Sequence, residues 1–298
     1  MGEKGFSIKI FVPGGYDDGL RLIEKTTWNG HVILCSRAVY GSARQRPEFG
    51  KSGVYVLIGQ DHRSPLPNVY VGEGDPIRAR LDNHYARKEF WDTAVFFVGQ
   101  GSILNKGHIK YLEARLIQVG MQVKRCKLEN ENTPKLPSLS EMDIADCEAF
   151  LEEALMCLPL LGVSAFEHPV TKSDKINLLY LKSKGMVSKG YEAGDGFVVL
   201  SGSQAVLNTV PSIVTFVKEL RNELIMLGVL KAEQGKYVLT GDYKFPSPST
   251  AAGVMLGRTA NGREEWKDLD GKSLKEIQEM SSKIGIEATG SKSRGIGA

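Results

Sequence analysis

Alternating and clustered hydrophobic positions predict strands near the start of the chain. Residues 7–12 and 32–35 fit strands. Between them the spacing of Leu20, Ile23 and Glu24 predicts a short helix. These first 50 residues are expected to form a small N-terminal element.

A β-hairpin with a long loop is predicted from residue 53 onward. Hydrophobic residues alternate along 53–58, the segment 60–68 is rich in turn residues, and 69–71 continue as a second strand. Asp75 followed by Pro76 is typical of an N-cap and first helical residue. We therefore expect a helix through about Arg87, with Ile77 and Leu81 on its inner face.

A third strand and a second helix are predicted next. Residues 94–98 are almost entirely hydrophobic, and Ile109, Leu112 and Leu116 form an apolar stripe on a helix starting near Lys106. The polar segment 130–140 fits a linker. Beyond it, Ser140 and Asp143 resemble a capping box for an acidic helix that ends near Leu158.

The second half of the chain shows mixed helix and strand patterns. Strands are expected at 197–200 and 237–239, a long helix after Pro211, and short helices after Pro248 and around 274–280. The fold class is thus α/β, more narrowly α+β. We expect an N-terminal element (1–50), a first domain (51–129), a linker and acidic helix (130–170), a C-terminal α+β module (171–288) and a disordered tail (289–298).

Composition narrows the class of protein. With 42% hydrophobic and 24% charged residues, the 298-residue chain fits a globular protein and excludes a largely disordered or collagen-like one. No apolar run approaches the roughly 20 residues of a spanning helix, and the start lacks a secretory pattern. We expect a cytoplasmic protein without a membrane partner. The four cysteines stand far apart, so neither a zinc ribbon nor a disulfide framework is predicted.

Charge is unevenly distributed although its sum is only +3. Basic residues predominate up to residue 127, whereas the segment 128–170 is strongly acidic and Lys135 is its single lysine or arginine. A positive surface attracts phosphate backbones. Many proteins that bind no nucleic acid show a similar excess, so charge supports a nucleic-acid partner without establishing one.

Two tripeptides and three later residues stand in a particular order and spacing: Gly53-Val54-Tyr55, Tyr70-Val71-Gly72, Arg80, His84 and Glu113. Taken singly, each has a structural explanation, such as a packing tyrosine or a solvated helix face. As one ordered set they resemble the GIY-YIG nuclease family. The resemblance implies a three-stranded antiparallel sheet flanked by helices in residues 51–129, and a Mg²⁺-dependent DNA endonuclease in which Mn²⁺ could substitute.

The resemblance also implies residue roles that the chemistry of phosphodiester hydrolysis supports. Tyr55 is the candidate general base, assisted by positive charge because its ordinary pKa is near 10, and Tyr70 would orient water or phosphate. Arg80 offers a planar cation to phosphate oxygens, and His84 is similar to a histidine in some branches of the family. Glu113 would hold the metal, since Mg²⁺ needs only one or two protein carboxylates.

One further assignment depends on a looser correspondence. Asn132 could match an asparagine that follows the helix carrying the metal-binding glutamate.

The C-terminal half resembles an uncharacterised module found behind bacterial GIY-YIG domains, in the motifs Phe245-Pro246-Ser247-Pro248-Ser249, Leu256-Gly257-Arg258, Asn261-Gly262 and Trp266-Lys267. Arg258, Arg263 and Lys267 could contact nucleic acid beside Trp266, or Trp266 could be core and these basic residues solvated.

Two functional hypotheses follow. The first is an endonuclease that hydrolyses DNA, with the C-terminal module recognising substrate or a protein partner. The alternative is a non-catalytic nucleic-acid-binding protein built on the same frame.

Overall fold

The computed structural model describes residues 5–14, 19–61, 64–101, 103–167, 177–194 and 196–281. The chain divides into two compact units, Met1–Glu167 and His168–Ala298. Both mix helices with sheets, which confirms the predicted α+β class. Across the described ranges no helix is long and apolar enough to cross a membrane.

The first unit is built on one seven-stranded sheet. Its spatial order is β1-β2-β3-β6-β4-β5-β7, and neighbouring strands are antiparallel except for the short parallel pair of β5 and β7. The strands are β1 Ile8–Phe11, β2 Leu20–Lys25, β3 Gly30–Ser36, β4 Gly53–Gly59, β5 Asn68–Gly74, β6 Thr93–Gly99 and β7 Lys127–Leu128.

Helices cover both faces of this sheet. They are α1 Tyr40–Ala43, α2 Ile77–Arg87, α3 Lys106–Val123 and α4 Glu141–Cys157. One core lies between the sheet and helices α3 and α4, and a second core lies between the opposite face and helices α1 and α2. Because both faces are buried, β4 and β6 are continuous apolar runs rather than alternating ones.

Several predicted elements are confirmed, and one is wrong. The hairpin of β4 and β5, strand β6, and helices α2, α3 and α4 lie where the sequence placed them. The short helix expected at Leu20–Glu24 is strand β2. Leu20 enters one core and Ile23 the other, so a three-residue spacing that mimics one helix face instead feeds two faces of a buried strand.

The start of α2 also differs from the prediction. Pro76, not Asp75, occupies the N-cap position and gives no side-chain cap. The Asp75 carboxylate accepts a hydrogen bond from the Ser52 hydroxyl, and the Ile77 N–H donates to the Lys51 carbonyl at 3.0 Å. The segment before β4 therefore satisfies polar groups at this end of the helix.

Two of the segment boundaries expected from the sequence, those after residues 50 and 129, fall inside the first unit. Strands β1, β2 and β3 belong to the same sheet as β4, β5 and β6, so residue 50 does not separate two sheets. Helix α4, which Ser140 caps as expected by accepting from the Asp143 N–H, packs against α3 and β3.

The second unit contains two small antiparallel sheets. One has the order β14-β10-β9-β8 and the other β11-β13-β12. Residues 274–281 are helical as well, and the predicted tail 289–298 lies outside the described residues. The elements are β8 Leu179–Ser183, β9 Met186–Ala193, β10 Gly196–Val199, β11 Gln204–Ala205, α5 Thr215–Met226, β12 Leu230–Glu233, β13 Lys236–Leu239, β14 Tyr243–Phe245, α6 Pro248–Leu256 and α7 Gly262–Glu265.

A buried arginine ties the second unit together. Arg221 on α5 is 1% exposed, and its guanidinium donates to the carbonyls of Val254 and Val206. The guanidinium carbon lies 5.2 Å from the Tyr237 ring centroid. Burial lowers the pKa of Arg221. One side chain thus links α5 to α6 and to the segment after β11.

We expect Arg221→Met to lower the free energy of unfolding by about 1–3 kcal/mol, because it leaves two carbonyls without their donor. Lys218→Met, at an exposed position of the same helix, should change it by less than about 0.5 kcal/mol. Urea denaturation of both variants measures the difference. An Arg221→Met variant as stable as the wild type would show that the carbonyls need no donor.

Candidate functional site

Three of the predicted site residues form one cluster on the α2 side of the sheet. Tyr55 is on β4, Tyr70 on β5 and His84 on α2. The Tyr55 hydroxyl and His84 Nε2 are 2.7 Å apart. The ring centroid of His84 lies 5.6 Å from that of Tyr55 and 5.0 Å from that of Tyr70.

Two glycines of β5, Gly72 in the second motif and Gly74 beyond it, create the space for this cluster. Gly72 lies directly opposite Tyr55 in the register of β4 and β5. A Cβ atom at Gly72 would approach the Tyr55 hydroxyl to 2.3 Å, and one at Gly74 would lie 3.2 Å from Cγ of Arg80. The Tyr55 ring and the Arg80 stem therefore lie against bare backbone of β5.

The pair of Tyr55 and His84 is held in its uncharged form. Burial, with a contribution from Lys88 and Arg80, lowers the pKa of His84 to about 4. Burial also raises the pKa of the Tyr55 hydroxyl, with Tyr70 adding to the effect. At neutral pH the imidazole is thus neutral, and its Nε2 can accept the hydrogen bond that the tyrosine donates.

Arg80 and Glu113 bring opposite charges to the same place. The Arg80 cation lowers and the Glu113 carboxylate raises the pKa of each of the two tyrosines, although burial dominates both. Burial and then the Glu73 carboxylate raise the pKa of Glu113 to about 7, whereas Arg80, Lys106 and the Glu73 backbone act in the opposite direction. All five predicted residues are therefore brought together.

Sequence reasoning missed an ion pair beside Glu113. Lys106 Nζ lies 2.6 Å from Oε2 of Glu73, whose side chain is 8% exposed. Glu73 has the strand parity of Val71, which belongs to the core under α3. Because Glu73 lies on the α3 side of β5 and Lys106 lies at the predicted start of α3, the sequence could have indicated that these two residues form an ion pair.

Lys88 was missed as well. Its Nζ lies 4.4 Å from the ring centroid of Tyr70, within the usual range of a cation–π contact. Lys88 comes directly after α2, one turn beyond His84. The residues that carry the family resemblance on this helix are Arg80 and His84, so the sequence gave no reason to include Lys88.

An asparagine does lie at this sheet edge, but it is Asn130. Its side chain accepts from the Val71 N–H at 3.0 Å and donates to the Val71 carbonyl at 2.8 Å. Asn132 is exposed, two residues further along the chain. The polar segment after β7 contains two asparagines, Asn130 and Asn132, and only the path of the backbone shows which of them reaches β5.

The C-terminal candidates lie in the second unit and are tied to neighbours there. Arg258 pairs with Glu265 at 2.6 Å, and Nε of Arg263 donates to Gln278 at 2.8 Å. The backbone of Lys267 bonds to that of Tyr180. Trp266 is fully buried, which confirms the core alternative for this residue.

Within the described ranges, no group of three or more His, Cys, Asp or Glu side chains could enclose a metal ion. Glu113 offers a half-buried carboxylate next to the tyrosine and histidine cluster. A cation at Glu113 would complete its coordination with water and with substrate oxygens, as Mg²⁺ commonly does.

We expect Gly72→Ala to cost about 1–3 kcal/mol of stability, because the methyl group overlaps the Tyr55 hydroxyl. Gly41→Ala is the control, since a Cβ there meets nothing within 4 Å. Thermal unfolding of the two variants measures the effect. Equal melting temperatures would contradict the tight contact.

His84 should make the protein sensitive to acid. The unfolded chain binds a proton at His84 below its ordinary pKa of 6.5, whereas the folded protein does so only near pH 4. Stability should therefore fall as the pH drops from 6.5 to 4, by at most about 1.4 kcal/mol per pH unit from this group. His84→Gln should show a flatter profile in urea denaturation at several pH values. Parallel profiles would contradict the shifted pKa.

Comparison with known proteins concerns the second unit. No match is found among curated proteins or among solved structures. Residues 179–278 match the family described as a domain of unknown function, DUF4357. This match is consistent with the uncharacterised C-terminal module that the sequence predicts.

Proposed function

We propose that the chain is a cytoplasmic, Mg²⁺-dependent endonuclease that hydrolyses DNA phosphodiester bonds at the edge of the first sheet. The observation that carries this proposal is the Tyr55–His84 hydrogen bond beside Arg80 and Glu113. The order of these residues is that of the GIY-YIG family, which adds support through resemblance.

Proton removal from the attacking water is assigned to Tyr55 and His84 together. The raised pKa of Tyr55 disfavours a free phenolate. His84 Nε2 can take the hydroxyl proton of Tyr55 as Tyr55 takes one from water. A bound phosphate offsets the positive charges of Arg80 and Lys88, which now lower the pKa of His84, and so makes the imidazole a better proton acceptor.

The remaining residues bind and orient the phosphate. Arg80 presents its planar guanidinium to the phosphate oxygens, where negative charge grows in the transition state. Tyr70, only partly buried against the core of the α2 side, can donate its hydroxyl to water or phosphate. Lys88 above the Tyr70 ring adds positive charge on the same side.

Glu113 is the residue suited to hold Mg²⁺, or Mn²⁺ in its place. Its carboxylate is half-buried and interacts electrostatically with Arg80 and Lys106. A bound Mg²⁺ would neutralise charge on the phosphate oxygens. The pKa of about 7 found without a cation would fall when a cation lies beside the carboxylate.

DNA is the proposed substrate and partner. The acidic residues of α4 lie on the helix that covers the opposite face of the sheet from α2, so the side bearing Arg80 and Lys88 is the one suited to phosphates. The DUF4357 region would recognise substrate or a protein partner. Arg258 and Arg263 would have to leave Glu265 and Gln278 to contact DNA with their full hydrogen-bonding capacity.

A non-catalytic DNA-binding platform is the alternative function. The observation that favours it is that no group of three or more side chains among the described residues could enclose a metal ion. The two functions share binding but differ in turnover. Cleavage and binding must therefore be measured on the same samples.

The deciding experiment is nicking and linearisation of a supercoiled plasmid with Mg²⁺. Wild type should cut, and Tyr55→Phe, Arg80→Ala and Glu113→Gln should each lose about 10²- to 10³-fold in rate while binding DNA within a few-fold. Glu131→Gln, at an exposed position, is the control for Glu113→Gln. Thermal unfolding checks that every variant is folded.

Three results would change the proposal. Binding without cutting by wild type supports the platform. Cutting that persists in Glu113→Gln would remove the metal role of Glu113. A wild type that neither binds nor cuts duplex, single-stranded or branched DNA would overturn both functions.

A further inference from the structure

Phosphodiester hydrolysis needs a donor for the departing oxygen in addition to a base for the attacking water. The two oxygens lie on opposite sides of the phosphorus in an in-line displacement. On the basis of the proposed nuclease function, we propose that Lys106 is a further catalytic residue, which protonates the departing oxygen, and that Glu73 positions it.

The two faces of β5 carry the groups that are needed on opposite sides of the phosphorus atom. Tyr55 and Tyr70 face the core under α2, whereas Val69 and Val71 face the core under α3. Side chains alternate along a strand, so Glu73 points to the α3 side. A phosphate at the edge of β5 would therefore have the Tyr55–His84 pair on one side and Lys106 on the other.

Glu113 marks the point between these two sides. Its carboxylate interacts electrostatically with Glu73 and Lys106 on one side and with both tyrosines on the other. A phosphate beside Glu113 would therefore lie between the Tyr55–His84 pair and Lys106. Arg80 and Lys88 both interact with His84, so they belong to the tyrosine side.

The ion pair with Glu73 holds the Lys106 ammonium in place while leaving it accessible to substrate and water. Glu73 is nearly buried and holds the ammonium at 2.6 Å, while the Lys106 side chain is 51% exposed. An ammonium has three N–H donors, and one of them is used by Glu73. The others can face substrate, and bulk water can restore a donated proton.

The step balances in atoms and protons. The water oxygen forms a bond to phosphorus, its proton passes to Tyr55, and the Tyr55 proton passes to His84 Nε2. The bond between phosphorus and the departing oxygen breaks with its electron pair on that oxygen, which takes a proton from Lys106. The resulting imidazolium and neutral amine then exchange protons with solvent.

A substrate with a better leaving group tests this role. In duplex oligonucleotides cut at a site mapped with wild type, the departing oxygen is replaced by sulfur. A thiolate leaves without protonation because a thiol, with a pKa of about 8.5, is a far stronger acid than an alcohol or water at about 15.7. Single-turnover rates of the full chain are compared on both substrates.

Lys106→Met should lower the rate on the oxygen substrate by about 10²- to 10³-fold and on the sulfur substrate by less than about 10-fold. Glu73→Gln should show a smaller loss with the same suppression by sulfur. Lys110→Met, at an exposed lysine of the same helix, is the control and should match wild type on both. Binding of uncut DNA should change less than a few-fold.

Equal defects of Lys106→Met on the two substrates would overturn the inference, because a structural or phosphate-binding role is blind to the leaving group. Normal activity of Lys106→Met would overturn it as well. If wild type cuts neither substrate, the proposed nuclease function itself fails. That result differs from the first two because no wild-type rate exists.

Discussion

Half of the peptide groups of β5 point away from β4, and each must find a hydrogen-bond partner. Strand β7 covers only the first two residues of that edge. The Val69 carbonyl accepts from the Glu129 N–H, and the Asn130 side chain bonds both backbone groups of Val71. Glu73, two residues further along this edge, pairs with Lys106 and acts electrostatically on the Glu113 carboxyl, whose pKa its charge raises. The open edge of β5 thus brings the metal-binding candidate and the tyrosines to one place, and the site depends on this constraint.

The N-terminal strands contribute to the site through α2. Arg37, just after β3, donates to the carbonyls of Tyr85 and Lys88 at 2.7 and 2.9 Å. Its guanidinium also lies 4.5 Å from the Trp91 ring centroid. These contacts fix the last turn of α2 and the residue after it. The orientation of His84 therefore depends on a segment that sequence patterns assigned to a separate element.

Local signals predicted most of the first unit. The apolar run of β4, the turn residues before β5 and the apolar stripe of α3 each reflect a single strand or helix and can be read from neighbouring residues. Strand β2 was predicted as a helix because the spacing of Leu20, Ile23 and Glu24 also fits one face of a helix. The joining of β1, β2 and β3 to β6 depends on long-range pairing, which no local pattern encodes.

The sequence predicted the five residues of the candidate site but not the long-range contacts that surround them. Tyr55, Tyr70, Arg80, His84 and Glu113 were chosen by order and spacing, and they do converge. The Glu73–Lys106 pair joins a strand to a helix 33 residues later, and Asn130 reaches Val71 across 59 residues. Such contacts follow from the register of the sheet and the packing of α3 rather than from any periodicity.

The most direct measurement of the central claim is Mn²⁺ titration of the isotope-labelled full chain by NMR. If the edge of β5 holds the cation, paramagnetic broadening should begin at the amides of Gly72, Glu73 and Glu113 and should disappear in Glu113→Gln. Broadening that starts on the acidic helix α4, or that persists unchanged in Glu113→Gln, would contradict a metal site at this edge.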